Sequence, residues 1–399
     1  MKTGARVRGC GGARALARTA ALALLVSFTS VQAQAPAQRG LTAVAPLAAI
    51  YNAIFDARFE EVPPLVARAC GSRPVESGAP PEACQLLEAL AIWWRIQLDP
   101  HNRTYDGQYV AAADAAIRDA TAWTAREPNR AEAWFYLGGA YGAKSQWRVL
   151  RGARLAAARD GKHIRASMER AVALDPAMAD AYFGLGLYRY YADVAPTVLK
   201  MLRWLLLLPG GDREAGLDEM LRARRAGQLV RSEADYQLHV VYLWYEKQPH
   251  RAVEILDELA ARHPHNPHFA QAAADIVDFY IDDTPASLTR WERLLAAARR
   301  GAVAAPQMTE MAARLGVASQ FDQLSRSADA LDHLRIVIAT KPRAPHSAVA
   351  RAHLQMGQAL DHLGRSAEAR SSYMAAIAES GGDDPFAIAD AARAALRAQ

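Results

Sequence analysis

Residues 179–191, ADAYFGLGLYRYY, and residues 213–227, REAGLDEMLRARRAG, decide how the rest of this 399-residue chain is interpreted. Each stretch carries apolar residues three and four positions apart, which is the spacing of a helix with one buried face. Together they predict a helical hairpin. Between them lies ADVAPTVLKMLRWLLLLPGGD, residues 192–212, which such a hairpin does not need.

The same pattern returns along much of the chain. An aromatic residue is followed by Leu-Gly three and four positions later, then by alanine and a large residue in a second helix, then by proline. The units begin at Arg130, Ala179, Glu233, Met311 and Arg351. The aromatic-Leu-Gly spacing is complete in Trp134-Leu137-Gly138 and Tyr182-Leu185-Gly186, and the Arg351 unit carries Met356, Gly357 and Leu360. Repetition of this kind predicts a stacked array, because one hairpin cannot bury its apolar face alone.

These motifs resemble the tetratricopeptide repeat family, whose period is about 34 residues. The resemblance implies an all-α, right-handed superhelical solenoid of antiparallel helix pairs. Glycines such as Gly186 would let two helices approach closely, and large residues would fill the space between neighbouring hairpins. Residues 185–217 are also similar to the corresponding block of a eukaryotic repeat family that includes yeast's inclusion-body clearance protein.

The first 33 residues predict a secretory signal peptide. Lys2 and four arginines precede the apolar run of residues 20–28, and residues 31–33 (VQA) end in the small residue that a cleavage site requires. An uncleaved leader that anchors the chain is the alternative. After cleavage we expect an exported, periplasmic protein without a transmembrane span.

The remaining chain divides into three predicted regions. Residues 34–40 form a flexible start, residues 41–128 a helical region of degenerate repeats with a cysteine loop, and residues 129–399 the repeat array. The array carries inserts at residues 142–163 and 192–212, where the units exceed the family length.

Charge gives no support for nucleic-acid binding. The chain has 47 lysines and arginines against 42 acidic residues, a net charge of +5. The five cations of the leader account for that excess, so the mature protein is near neutral.

Cys70 and Cys84 flank a Gly- and Pro-rich stretch, GSRPVESGAPPEA. In an exported protein such a pair predicts a disulfide. Two unlinked buried thiols are the alternative. The spacing is not that of a metal or redox motif.

The insert predicts a short helix from Pro196 to Leu208, followed by a cap at Asp212. Its apolar face would consist of Val198, Leu202, Leu205 and Leu206. The helix is too short to span a membrane. Two interpretations remain: a helix packed on a neighbouring repeat, or a docking helix for a partner or a membrane surface.

The resemblance also implies a concave groove lined by fixed positions of each first helix. By register these are Phe135, Asp180, Phe183, Leu187, Tyr190, Gln237, Val241 and Trp244, followed by Arg351, Leu354, Gln358 and Asp361. An aromatic groove suits a protein or peptide partner. In the alternative, the insert helix fills the groove.

Few residues outside the groove suggest a metal-binding or catalytic site. His263, His265 and His268 lie in a predicted turn, where no neighbouring carboxylate or cysteine completes a metal site. The pairs Asp282-Asp283 and Asp383-Asp384 are interpreted as helix caps. Because no catalytic motif is present in the sequence, we expect no reaction, no metal and no cofactor.

The sequence therefore predicts a non-catalytic scaffold of the cell envelope that binds a protein or peptide in its groove. Two alternatives come from other classes of protein. One is an accessory protein that binds a small molecule or lipid, for example for a transporter, with the Leu-rich insert lining an apolar pocket. The other is an enzyme with an unfamiliar site in one of the inserts.

Overall fold

The computed structural model describes residues 40–71, 78–194 and 210–398, and every regular element in these ranges is helical. The helices are α1 (Val44–Phe55), α2 (Val62–Cys70), α3 (Pro81–Leu98), α4 (Asp106–Arg126), α5 (Ala131–Leu150), α6 (Arg154–Leu174), α7 (Ala181–Val194), α8 (Arg213–Ala226), α9 (Arg231–Val240), α10 (Pro249–Arg262), α11 (Pro267–Phe279), α12 (Thr284–Arg299), α13 (Pro306–Gln323), α14 (Ser327–Thr340), α15 (Ala348–His362), α16 (Ser366–Glu379) and α17 (Ile388–Ala398). A 3₁₀ turn (Phe59–Glu61) precedes α2, and a π-helical turn (Val241–Tyr245) extends α9.

Consecutive helices pack against each other from α3 to α17. Since short connections force neighbouring helices to run in opposite directions, they form the pairs α3/α4, α5/α6, α7/α8 and so on to α15/α16. This confirms the predicted all-α solenoid of antiparallel helix pairs. The predicted boundary between residues 128 and 129 falls between α4 and α5, which pack against each other.

Glycines determine how closely α7 and α8 approach. A Cβ atom built on Gly186 would lie 2.6 Å from the carbonyl oxygen of Gly216 and 2.9 Å from the backbone nitrogen of Met220. Backbone atoms cannot rotate away as a side chain can, so only a residue without a side chain fits here. The predicted role of Gly186 is confirmed.

The predicted insert at residues 142–163 lengthens two helices. α5 has 20 residues and α6 has 21, compared with 14 in each of α7 and α8. Arg148 and Asp160 form an ion pair of 2.5 Å across the turn that joins α5 to α6. The additional turns therefore continue the hairpin.

Residues 40–61, which we call the N-terminal strap, cross the starts of several helix pairs. At one end Thr42 donates a hydrogen bond of 2.8 Å to Glu132 in α5. At the other end the side chain of Asn266, the cap of α11, donates to the carbonyl oxygen of Phe55 at 2.7 Å. The strap therefore reaches from α5 to α11, and its helix is a core element with these fully buried side chains: Leu47, Ile50, Ile54 and Phe55.

α3 lies beside the strap and also makes contacts far along the chain. Trp94 packs edge-on against Tyr236 of α9 and Phe269 of α11, with ring centroids 5.0 and 5.6 Å apart. Just after α3, Asp99 accepts the backbone N–H of His346, which precedes α15. Helices near the start of the described chain are thus packed against repeats more than a hundred residues later.

Candidate functional site

The first eight of the twelve predicted groove residues, Phe135 to Trp244, do not form an open surface, whereas of the last four Arg351, Leu354 and Asp361 are half-buried and Gln358 is exposed. Five of the first eight are buried: Phe135, Asp180, Phe183, Tyr190 and Val241. Leu187 and Gln237 are half-buried, whereas Trp244 is 52% exposed. Their role in partner binding stays a prediction.

The buried groove positions share one continuous hydrophobic core with α1 and α3. Tyr51 of the strap lies close to residues of the groove. Burial, together with the nearby charges of Glu233 and Asp180, raises the pKa of its phenol. The sequence suggested the insert as a possible occupant of the groove. In the described residues, side chains of the N-terminal strap and of α3 belong to the same core as the apolar groove positions.

Asp180 has a structural role at the turn that leads into α9. Its carboxylate accepts the backbone N–H groups of Gln228, Leu229 and Val230 at 2.9, 2.7 and 3.0 Å. Three charge-assisted bonds use the acceptor capacity of this buried group. Asp180 therefore joins two helix pairs and does not present a free carboxylate.

Tyr190 and Glu246 connect α7 to the turn after α9. The Tyr190 hydroxyl donates to Glu246, which also pairs with Arg213 at the start of α8. These charge-assisted bonds lower the pKa of the Glu246 carboxyl. The network fixes the position of the aromatic residues that precede Glu246.

The three histidines of the RHPHNPH turn lie where the strap docks. His263 bonds to Ser232 at 2.8 Å, His268 bonds to the Tyr236 hydroxyl at 3.1 Å, and the backbone N–H of His265 donates to Asp56 at 2.9 Å. Burial lowers the pKa of His263 and of His268 to about 4 in each case. The turn is a packing site in which His263 and His268 are neutral.

The π-helical turn after α9 changes which residues face outward. It inserts one extra residue per turn at residues 241–245 and so rotates the positions after it. Val241 is buried, but Trp244 and Tyr245 are exposed. The repeat register could not predict this rotation, because it assumes a regular α-helix.

An exposed aromatic ridge lies at the ends of two helices, α9 and α11. We use the name aromatic ridge for Trp244, Tyr245, Phe279 and Tyr280, whose exposed fractions are 52, 43, 73 and 43%. Trp244 and Tyr280 meet edge to face with centroids 5.4 Å apart. Tyr245 packs against Tyr191 of α7 at 5.4 Å. Rings that are held in place and exposed together are typical of docking surfaces.

Sequence reasoning missed three members of the ridge: Tyr245, Phe279 and Tyr280. Phe279 and Tyr280 end α11 and directly precede the sequence IDD, in which Asp283 caps α12. An aromatic pair at a helix end, beyond the last buried position, was the available signal. The spacing within the repeat alone did not indicate that both rings point to solvent.

Cys70 and Cys84 lie at disulfide-bonding distance, with their Cα atoms 6.5 Å apart. They join the end of α2 to the start of α3. The pair therefore connects the region that carries the strap to the helix beside it.

The predicted insert helix and its apolar face, Val198, Leu202, Leu205 and Leu206, lie outside the described residues. The cap predicted after it is confirmed, because the Asp212 side chain accepts the N–H of Ala215 at 3.0 Å. The caps predicted at the two Asp pairs are also present: Asp283 accepts from Ala286, and Asp384 accepts from Ile388 and Ala389.

Three further features of the described residues concern metal binding, membrane spans and surface depressions. Within residues 40–71, 78–194 and 210–398 there is no group of three or more His, Cys, Asp or Glu residues placed to hold a metal ion. No helix in those ranges is long and apolar enough to cross a membrane. A surface depression of about 330 Å³ lies between α14, α15 and α16, lined partly by Ile338, Met356 and Ala375.

Comparisons with known proteins find similarity at the level of structure only. No family model matches the chain, and no curated protein matches it. The crystal structure of yeast Tom70 is similar over 88% of this chain and 80% of its own, with 13% identity and a TM-score of 0.39. The Cut9–Hcn1 hetero-tetramer of the APC/C is similar over 86% of this chain and 63% of its own, with 13% identity and a TM-score of 0.38.

Proposed function

We propose that this chain is a non-catalytic interaction scaffold whose protein partner docks on the aromatic ridge. The observation that carries the proposal is the exposure of four aromatic side chains on a rigid array of helix pairs. Exposed aromatic rings contribute large contact area at low cost in side-chain entropy. The absence of a metal-binding cluster among the described residues is consistent with a binding role.

The size of the ridge favours a polypeptide partner. Its four rings lie at the ends of α9 and α11, and Tyr191 of α7 packs against Tyr245 beside them. A small ligand would cover only one or two of these rings. A partner segment with apolar side chains at helical or extended spacing would cover all of them.

Of the predicted groove residues, we retain only one as a partner contact. Over α5 to α11 its positions lie in one core with the strap and α3, so a partner would have to displace buried segments to reach Phe183 or Tyr190. Trp244 needs no displacement. We therefore propose Trp244 as the groove position that contacts the partner.

We also propose that the protein is exported to an oxidising compartment. The basic and apolar leader supports this, as do two cysteines at bonding distance. Mass spectrometry of the secreted fraction should find a mature chain that starts near Gln34, with Cys70 and Cys84 resistant to alkylation until reduced. Recovery of the full-length chain only from cytosol would contradict export.

The docking proposal is tested with a photo-crosslinking residue at position 279 in the full chain. A matched chain carries the residue at position 149, because Val149 is also exposed but lies at the end of α5. A product formed at 279 and not at 149 identifies the partner. Equal products at both positions, or none at 279, would contradict docking on the ridge.

Binding of that purified partner is then measured directly. Replacing Trp244→Ala together with Phe279→Ala should raise the Kd by about a thousandfold, since buried aromatic anchors contribute about 2 kcal/mol each. Val149→Ala is the control and should leave the Kd unchanged. Unchanged binding by the double variant would overturn the proposal even if crosslinking succeeds.

A further inference from the structure

The turn between α5 and α6 exposes two large aliphatic side chains. Val149 and Leu155 lie on either side of residues 151–153 and are 58 and 56% exposed. Single exposed aliphatic residues are common on protein surfaces, but two on the same turn give it an apolar apex. We call residues 148–162 the hairpin tip.

Hydrogen bonds and an ion pair hold the hairpin tip in place. The Arg151 guanidinium donates to Asp106 at 2.7 Å and to the carbonyl oxygen of Pro100 at 2.6 Å. Across the turn, Arg148 pairs with Asp160 at 2.5 Å. The two aliphatic side chains therefore project from a fixed support.

Three cations of the hairpin tip have no partner among the described residues. Arg154, Arg159 and Lys162 are exposed, and their side chains form no ion pair or hydrogen bond within that part of the chain. Asp160 is the one acidic residue in the sequence from 142 to 166, and it is 4% exposed and paired with Arg148. The exposed surface of the tip is therefore positively charged, and no carboxylate of the same hairpin neutralises it.

The cations lie behind the apolar apex on one face of α6. Leu155, Arg159 and Lys162 are four and three positions apart, so they form one exposed stripe. With a rise of about 1.5 Å per residue, Arg159 lies about 6 Å and Lys162 about 10 Å behind Leu155 along the helix. The headgroup layer on each side of a bilayer is about 5–8 Å thick. Aliphatic side chains at the apex can therefore reach the acyl chains while the cations stay among the headgroups.

The aliphatic apex favours a bilayer over an acidic protein as the occupant of this surface. An acidic protein would neutralise the cations, but it would also need a pocket shaped for two aliphatic side chains. A bilayer accepts such side chains anywhere on its surface. Basic residues beside exposed apolar ones are typical of segments that bind anionic membranes.

We propose that the hairpin tip docks on the surface of an anionic bilayer. Val149 and Leu155 enter the boundary between headgroups and acyl chains. Arg154, Arg159 and Lys162 pair with lipid phosphates. The aromatic ridge lies at the ends of α9 and α11 and is a separate surface, so this inference and the proposed docking of a protein partner can fail separately.

The test adds lipid vesicles to the purified full chain, which carries an environment-sensitive fluorescent amino acid at position 153. Ala153 is exposed in the tip and is not one of the proposed contacts. Vesicles of equal parts phosphatidylcholine and phosphatidylglycerol should shift its emission to the blue, whereas phosphatidylcholine alone should not. The same probe at position 374, where Met374 is exposed in α16, should not shift. Because the probe reports its own surroundings, membrane binding by the basic leader does not produce the signal.

Variants show which side chains hold the tip on the bilayer. Arg159→Gln together with Lys162→Gln should raise the lipid concentration at half-maximal shift by about twentyfold, since each cation near an anionic surface contributes about fivefold. Leu155→Gln should raise it by about tenfold, because an apolar contact is lost. Arg225→Gln together with Arg231→Gln is the control. These two arginines are also exposed and unpaired within the described residues, so the control changes the net charge equally and should titrate as the wild type does.

The outcomes separate membrane docking from other roles of the tip. Circular dichroism verifies that each variant is folded. The proposal is overturned by no shift at position 153, by equal shifts at 153 and 374, or by tip variants that titrate as the wild type does. A shift with soluble polyglutamate and none with vesicles would also overturn it and would indicate an acidic protein as the partner.

Discussion

Gly186 shows how much of this fold depends on a single missing side chain. Its neighbours in α8 are backbone atoms, so Gly186→Ala must push α7 and α8 apart. We expect the free energy of unfolding to fall by about 1–3 kcal/mol, the usual cost of overpacking. Urea denaturation followed by circular dichroism measures it.

Gly142 provides the matched control for that experiment. It lies within α5, where a Cβ atom would meet nothing within 4 Å. Gly142→Ala should therefore leave stability unchanged or raise it by up to about 1 kcal/mol, because alanine favours a helix. An equal loss of unfolding free energy in both variants would show that glycine at position 186 is not needed for the close approach of α7 and α8.

The exposure of Trp244 could not be predicted from its position in the repeat. Tyr190 occupies the equivalent place in its own unit and is fully buried, whereas Trp244 is largely exposed. The difference comes from the π-helical turn, which adds a residue to one turn and rotates the side chains after it. A period counted along the sequence predicts aromatic character but not this rotation.

Among the elements, the turn between α10 and α11 should make the fold sensitive to acid. His263 and His268 have pKa values lowered to about 4, compared with about 6.5 in an unfolded chain. Below pH 6.5 the unfolded chain binds protons that the folded chain excludes. Stability is therefore complete above about pH 6.5 and decreases as the pH falls towards 4.

Replacing one of these histidines should reduce that pH dependence. His268→Gln removes the titrating ring and should reduce the loss of stability between pH 7 and pH 4 by about 1–3 kcal/mol. His250→Gln, at an exposed position, is the control and should leave the slope as in the wild type. An identical slope in the His268 variant would show that this ring is not excluded from protonation by folding. The measurement is urea denaturation at a series of pH values.

The link between α2 and α3 can be measured in the same way. Cys70 and Cys84 are 14 positions apart, and a crosslink over a loop of that length stabilises a protein by about 3 kcal/mol. Replacing both with serine should lower the free energy of unfolding by about that amount. Dithiothreitol should destabilise the wild type equally and leave the variant unaffected. A wild type insensitive to reductant would indicate two separate thiols.

At the scale of the whole molecule, local patterns predicted the helix pairs well. The repeat units predicted at Arg130, Ala179 and Glu233 each form a helix pair, and the close contact at Gly186 agrees with its position in the repeat. These features depend on neighbours in the sequence. The extra residues predicted at 142–163 are present as additional helical turns that lengthen α5 and α6.

The position of the strap could not be predicted in this way. Residues 44–55 have an evident helical pattern, but their partners lie far along the chain. Phe55 packs against Phe269 with centroids 6.4 Å apart, although more than two hundred residues separate them. Helical spacing shows that a face will be buried but not which segment will bury it. The sequence therefore offered a partner or the insert helix as occupant of the groove, and it identified only Trp244 of the aromatic ridge.

The central claim is that the chain covers its own groove from α5 to α11 and leaves the aromatic ridge free for a partner. Hydrogen exchange on the purified full chain tests the first half directly. We predict that amides of α1, residues 44–55, exchange as slowly as those of α9, because both helices belong to one core. Exchange of α1 at the rate of an unprotected segment, with α9 still protected, would show an open groove and contradict the claim.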